Sequence, residues 1–243
     1  MTDTLHRILP QVQKPARYVG GEYNQIVKDK RDVDVRVAFC FPDTYEIGMS
    51  NIGMRILYGL MNELPGVWCE RVFAPWGDME EKMREHAIPL YALESHDPVR
   101  AFDLIAFTIG YEMSYTNILN MLDLSGVPLL ARERKELENI VFAGGVCAVN
   151  PEPLADFIDF FSFGEGEEIT KEILACYRQA KKDGCSKEEF LLRVSRIDGV
   201  YVPSFYEHSY NPDGMLAAIT PKNGAPAKVR KRIVQDMDAA YFP

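Results

Sequence analysis

A doubly wound α/β fold on a mainly parallel, five-stranded sheet is the class this sequence predicts, on three observations. Apolar runs and amphipathic helical patterns alternate from Val33 to Gly184. The runs are near-continuously apolar, which marks strands buried on both faces and hence a parallel sheet wrapped by helices. After Gly184 the pattern changes to short runs parted by "NPDG" and "KNGAP", which predict antiparallel pairing through turns. Three segments follow: an N-terminal arm over 1–32, the α/β domain over 33–184, and an extension over 185–243 with a short helix, a β-hairpin and a linker-like end.

The elements follow in order. In the arm a short amphipathic helix is expected from Asp3 to Leu9, broken by Pro10, Pro15 and Gly20-Gly21. The first strand is "VDVRVAFCF". It leads through "PDTYEIGMS" into a helix on which Ile52, Ile56, Leu57, Leu60 and Leu64 recur at helical spacing. "GVWCERVFA" is the second strand. Asp78 is the expected N-cap of the helix "MEEKMREH", with Glu80 and Glu81 where the helix dipole favours negative charge. "FDLIAFTI" is the third strand, and Gly126 stops the helix after it. "NIVFAGG" and "IDFFSFGEG" are the fourth and fifth strands, the latter entering the helix "EEITKEILACYRQAKKDG". Ser186 with Glu189 forms a capping box for one more helix, and "AKVRKRIVQD" reads as the last strand. Right-handed crossovers leave few topologies for such a chain, the flavodoxin-like one foremost.

Bulk properties exclude several functions. A net charge of −9 over 243 residues argues against a general nucleic-acid binder. Lys228, Arg230, Lys231 and Arg232 on the last strand read as an edge-protecting row. The five cysteines lack any C-x-x-C and predict reduced thiols. The first residues carry no apolar signal core, and no run reaches the roughly 20 residues that span a bilayer. A cytoplasmic location is therefore expected.

In open α/β sheets ligands bind beyond the carboxyl ends of the strands. That rule selects Pro42–Asn51, Pro75–Asp78, Gly110–Asn117, Ala143–Pro153 and Gly164–Glu168. Candidate binding residues are Asp43, Tyr45 and Glu46 in the first loop, and Thr108, Tyr111 and Glu112 at the third strand. Gly144, Gly145, Cys147 and Asn150 follow the fourth, and Gly164, Glu165, Gly166 and Glu167 the fifth. Glycine pairs ending adjacent strands make either tight turns or a backbone-lined cleft. A nucleophilic role for Cys147 needs a histidine base, and His6, His86, His96 and His208 all lie outside the selected loops. Cys and His nowhere occur at metal-ligand spacing, so no metal site and no catalytic residue is expected in this chain.

The stretches "FPDTYEIGMSNIGMRILY", "ERVFAPWGDME", "YTNILNMLDLSGVPL" and "AGGVCAVNPEPLADFIDFFSFGEGEE" together resemble the N-terminal, cobalamin-binding-like region of an uncharacterised family of radical S-adenosylmethionine proteins. The resemblance covers nearly the whole chain, from about Pro15 to Pro243. It implies that a catalytic barrel follows, in cis or as a separate chain. There C-x-x-x-C-x-x-C would hold a [4Fe–4S] cluster that cleaves S-adenosylmethionine. That motif is absent here, so the chain is expected to be an N-terminal portion or a split gene product, without radical chemistry of its own. Related cobalamin domains use D-x-H-x-x-G, which no histidine here fits, and their S-x-L is matched only by Thr108-Ile109-Gly110. Two options stay open: cobalamin held without a protein histidine, or a domain that kept the fold and lost the ligand. A stand-alone flavodoxin-like module for a nucleotide, flavin or small polar ligand, or a ligand-free scaffold, is the alternative reading.

Overall fold

Strand Val35–Phe41 (β1) pairs in parallel with both Val67–Phe73 (β2) and Leu104–Thr108 (β3). Ile140–Gly144 (β4) and Phe160–Ser162 (β5) continue the parallel array. Val200–Tyr201 (β6) closes the far edge antiparallel to β5, so the order is β2-β1-β3-β4-β5-β6. The structure, a computed structural model, describes residues 2–243. The chain winds outward from β1 to β2 and then crosses back to β3, so the strand order reverses between β1 and β3.

Helices cover both faces. Thr2–Ile8 (α1), Gly77–Glu85 (α4) and Tyr115–Ser125 (α5) lie on one. There Leu5, Met79, Met83, Ile118 and Leu122 pack with Ala38, Ile105, Val141 and Phe161 of the sheet. Ile52–Glu63 (α3), Gly166–Asp183 (α6) and Lys187–Val194 (α7) cover the other, where Met54, Tyr58, Ile173 and Phe190 pack with Val37, Phe39, Ala106 and Phe142. Alternate strand residues thus enter opposite cores, which is why the strands read as unbroken apolar runs. Burying one such side chain contributes about 1.5–3 kcal/mol. Asn51 caps α3, its Oδ1 accepting from the Met54 amide at 2.9 Å. Gly126 ends α5 at φ +67°, and the Ser186–Glu189 capping box starts α7.

The arm is tied down. Leu5, Ile8, Leu9, Val12 and Tyr18 are buried in the α1/α4/α5 core. Asp78 does not cap α4. The cap position is Trp76, while Asp78 Oδ2 accepts from the Gln13 amide at 2.5 Å and so anchors the arm. A short helix, Tyr45–Ser50 (α2), occupies the loop after β1. Between β4 and β5 the chain makes two 3-10 turns, Val146–Val149 and Glu152–Leu154, with no α-helix.

The expected antiparallel hairpin forms, from Tyr206–Tyr210 (β7) and Leu216–Pro221 (β8) with a bulge at Ser209/Tyr210, as a sheet of its own. Two further expectations need correction. The sheet has six strands, because "VY" of "GVYVPSF" joins the β5 edge. The segment "AKVRKRIVQD" is not a strand. It makes one isolated parallel bridge, Gly164 to Arg232, and its basic residues protect no strand edge. The Arg232 side chain instead pairs with Glu168 and Glu172 on α6.

Candidate functional site

The five loops selected by the carboxyl-edge rule share one rim, since each follows the end of a parallel strand. Under that rim, between α3 and the start of α6, lies a cleft of about 240 Å³. Phe39, Ala106 and Phe142 of the sheet line it, with Ile56, Leu57 and Met61 of α3. Its mouth is polar and mostly main chain: Thr108, Gly144, Gly145, Ser162 and Gly164 to Glu167. Seven of the predicted residues therefore meet here: Thr108, Gly144, Gly145, Gly164, Glu165, Gly166 and Glu167.

The glycines answer to the protein's own chain first. Gly145 has φ +102°, and a Cβ there would stand 2.7 Å from the Ile109 carbonyl oxygen. Gly164 has φ +99°, and a Cβ would meet the Arg232 carbonyl oxygen at 2.0 Å. Side chains are strained at such φ and would collide with backbone in both places. Arg232 donates its amide to the Phe163 carbonyl at 2.7 Å, and its carbonyl accepts from the Glu165 amide at 3.1 Å. Beyond it, the Val234 amide donates to Glu165 Oε2.

The electrostatics select against anions. Among the described residues no Lys or Arg lines the cleft, whereas Glu165 and Glu167 do. The dipole of α6 favours negative charge at its N-terminus, but Glu167 and Glu168 already fill its first turn. The arrangement suits an uncharged, largely apolar group that offers hydroxyl or amide donors to the rim.

The other candidates stand apart. Tyr111 Oη donates to Asp43 Oδ2 at 2.7 Å, linking the first and third loops. That bond, followed by burial, pushes the Tyr111 hydroxyl pKa up. Tyr45 turns to the arm, donating to Glu22 and stacking edge-on with Phe73 at 5.5 Å. Burial, then Glu22, pushes its pKa up to about 12. Glu46 also faces the arm, where Arg17 and then Lys14 hold its carboxyl down at about 2. Cys147 and Asn150 gather at Tyr115, whose Oη donates to the Asn150 carbonyl at 3.3 Å. The Cys147 thiol is pushed up by its surroundings and then by the Glu112 carboxylate, the reverse of an activated nucleophile. Histidines line no part of the cleft among the described residues. His96 Nε2 is 3.1 Å from the Val19 carbonyl and His208 is 3.2 Å from Glu152.

Ile56, Leu57, Ser162 and Thr170 also line the cleft, without a signal that singled them out. Helical spacing gives Ile56 and Leu57 core positions, and only the exposed Ile52 one turn earlier hints that this stripe overruns the core. Nor did the sequence single out the apolar rim. Ile47, Ile52, Trp76, Met113, Val146, Val149 and Ile233 are all exposed on the carboxyl-edge loops or the segment docked there, Met113 at 84%. Scattered surface apolar residues are ordinary, but one or more on four of the five loops, with Ile52 at the start of α3 and Ile233 beside the fifth, forms a patterned edge.

The model of radical SAM protein N-terminal regions matches residues 53–203, more than half of the chain. The chain belongs to this family. The matched stretch runs from α3 through β6 and so contains most of the cleft. An uncharacterized protein of Methanocaldococcus jannaschii is 29% identical over 220 residues, covering 85% of this chain and 42% of that protein. The chain thus spans less than half the length of this relative.

Proposed function

We propose that this chain is the accessory N-terminal module of a radical S-adenosylmethionine iron–sulfur enzyme, and that its carboxyl edge faces the catalytic barrel. The observation that carries the reading is the conjunction of an apolar, glycine-mouthed cleft with a patterned ring of exposed apolar side chains on the same edge. The cleft would hold a ligand or substrate group, and the ring would be covered by the partner domain. The sheet on this reading is a flavodoxin- or cobalamin-binding-like wound sheet, extended at the β5 edge by β6.

The residues do not fit a [4Fe–4S] cluster. Cys40 and Cys69 are buried in opposite cores, and among the described residues no group of three or more ligating side chains could hold a metal ion. Cluster and S-adenosylmethionine chemistry are therefore assigned to the barrel, and the module itself binds and positions. Cobalamin fits only without a protein histidine on cobalt, since no histidine lines the cleft among the described residues. In that mode the apolar walls would accept a ring, and Thr108, Ser162 and the glycine amides would meet its polar edge.

The test is titration of the purified chain with hydroxocobalamin, followed by visible spectroscopy and gel filtration. Saturable spectral change with co-elution supports cobalamin as the guest, and their absence removes it. A second reading, a ligand-free docking scaffold, is favoured by one specific observation: the Cβ positions of Gly145 and Gly164 are filled by the protein's own backbone.

A further inference from the structure

A second cavity, of about 280 Å³, lies beside β2 and α3 and is separate from the carboxyl-edge cleft. Arg71 of β2 lines it, with its side chain 4% exposed. Its Nε donates to Glu94 Oε1 at 2.7 Å, and its backbone amide donates to Glu94 Oε2 at 2.7 Å. The carboxylate is thus spent on the Nε edge and the main chain. Nη1 reaches Asn24 Oδ1 and Met49 Sδ only at 3.5 Å, and Nη2 has no hydrogen-bond partner among the described residues. A guanidinium offers five N–H donors, and this one has one strong acceptor. Holding Glu94 against β2 accounts for Nε. It does not account for burying the two Nη groups under-bonded, since a buried donor left without an acceptor is destabilising.

The cavity walls supply what an acceptor would need. Asn24 and Met49, the weak partners of Nη1, both line it. Arg55 of α3 lines it too, is exposed, and makes no ion pair or side-chain hydrogen bond among the described residues. No Asp or Glu side chain lines it among the described residues, so Arg55 adds a second guanidinium beside the Arg71–Glu94 pair, with Pro243, the last residue of the sequence, also in the lining. The Tyr58 ring lies 4.4 Å from the Arg71 guanidinium carbon and covers one of its faces. Ile26, Met54 and Tyr241 make the remaining wall apolar.

We infer that this cavity binds a small organic oxyanion. Arg71 and Arg55 would grip the charged oxygens, and Met49, Met54, Ile26 and Tyr241 would enclose the apolar body. Planar guanidinium groups bind carboxylate and phosphate oxygens in the same way, so either can be the source of the anion. This inference does not depend on the accessory role proposed above.

The experiment is two-dimensional NMR of the full chain, reading the Asn24, Gly48 and Gly59 amides and the Arg71 Nε–H. Benzoate and phenyl phosphate are titrated separately to about 10 mM, a range that detects millimolar binding. Saturable shifts at these positions with benzoate alone assign a carboxylate, with phenyl phosphate alone a phosphate, and with both the shared oxyanion. Arg55→Ala, which removes an exposed side chain, should weaken binding about tenfold, and Arg71→Lys should abolish it. If Arg71→Lys fails to fold, the Arg55→Ala result decides alone. No saturable shift with either probe, shifts confined to the basic segment Lys228–Arg232, or binding unchanged in Arg55→Ala would each overturn the inference.

Discussion

Replacing Gly164 with alanine puts a methyl carbon 2.0 Å from the Arg232 carbonyl oxygen and 2.6 Å from its amide nitrogen. Neither atom is the end of a flexible side chain, so the crossing segment must lift away. Holding a side-chain-bearing residue at φ +99° costs about 1–3 kcal/mol. Lifting the segment forfeits the Arg232–Phe163 and Glu165–Arg232 backbone hydrogen bonds, about 1 kcal/mol each. The half-exposed ion pairs of Arg232 with Glu168 and Glu172 add at most about 1 kcal/mol. The loss is about 3–6 kcal/mol, or at least about 6 °C in Tm for a chain of this size. Gly110→Ala is the control, because nothing lies within 4 Å of its Cβ position and its φ is not positive, and it should stay within about 0.5 kcal/mol. Calorimetry measures Tm, and brief trypsin treatment reports release of the segment by faster cleavage after Lys231 and Arg232. A Tm within about 1 °C of wild type, with unchanged cleavage there, would refute the claim that Gly164 is shaped by its own chain.

Two further outcomes follow from the ion pairs. Glu46 has its carboxyl lowered from 4.5 to about 2 by Arg17 first, so the arm contact is fully present above pH 4.5 and is lost as pH falls through about 2. Fluorescence of Trp76, whose ring lies 5.6 Å from the Arg17 guanidinium, should follow that transition, and Glu46→Gln should remove it; a transition unchanged in Glu46→Gln would contradict the assignment. Asp159 is enclosed with Arg134 at 3.0 Å and Lys187 at 2.6 Å, so Asp159→Asn strands two buried cations and should cost about 3–5 kcal/mol in denaturant unfolding. A loss under about 1 kcal/mol would mean that this network is dispensable.

The parallel strands were legible because each feeds both cores, which leaves no alternation in the sequence. The ends of α5 and α7 were legible because Gly126 and Ser186 act within one turn of themselves. Asp78 was misread because its oxygen serves the Gln13 amide, 65 residues away, a partner that no local rule supplies. "AKVRKRIVQD" has strand composition, yet its backbone partners are at the rim glycine rather than along a neighbouring strand. In the site, the glycine turns and the acidic start of α6 could be located by counting strands. Asp43, Tyr45, Glu46, Glu112 and Cys147 share the same edge in sequence logic, but their side chains turn to the arm or to neighbouring loops. Edge membership fixes where a loop sits and leaves open which way its side chains point.

Amide hydrogen exchange on the longer Methanocaldococcus jannaschii relative, intact and cut back to its matching region, reports whether the carboxyl edge is a covered working face. Positions corresponding to loops 42–51, 75–78, 110–117, 143–153 and 164–168 should be protected only in the intact protein. Equal exchange in both forms at those loops, with protection instead at the opposite edge around the positions of Pro65–Gly66 and Val127–Asn139, would contradict it.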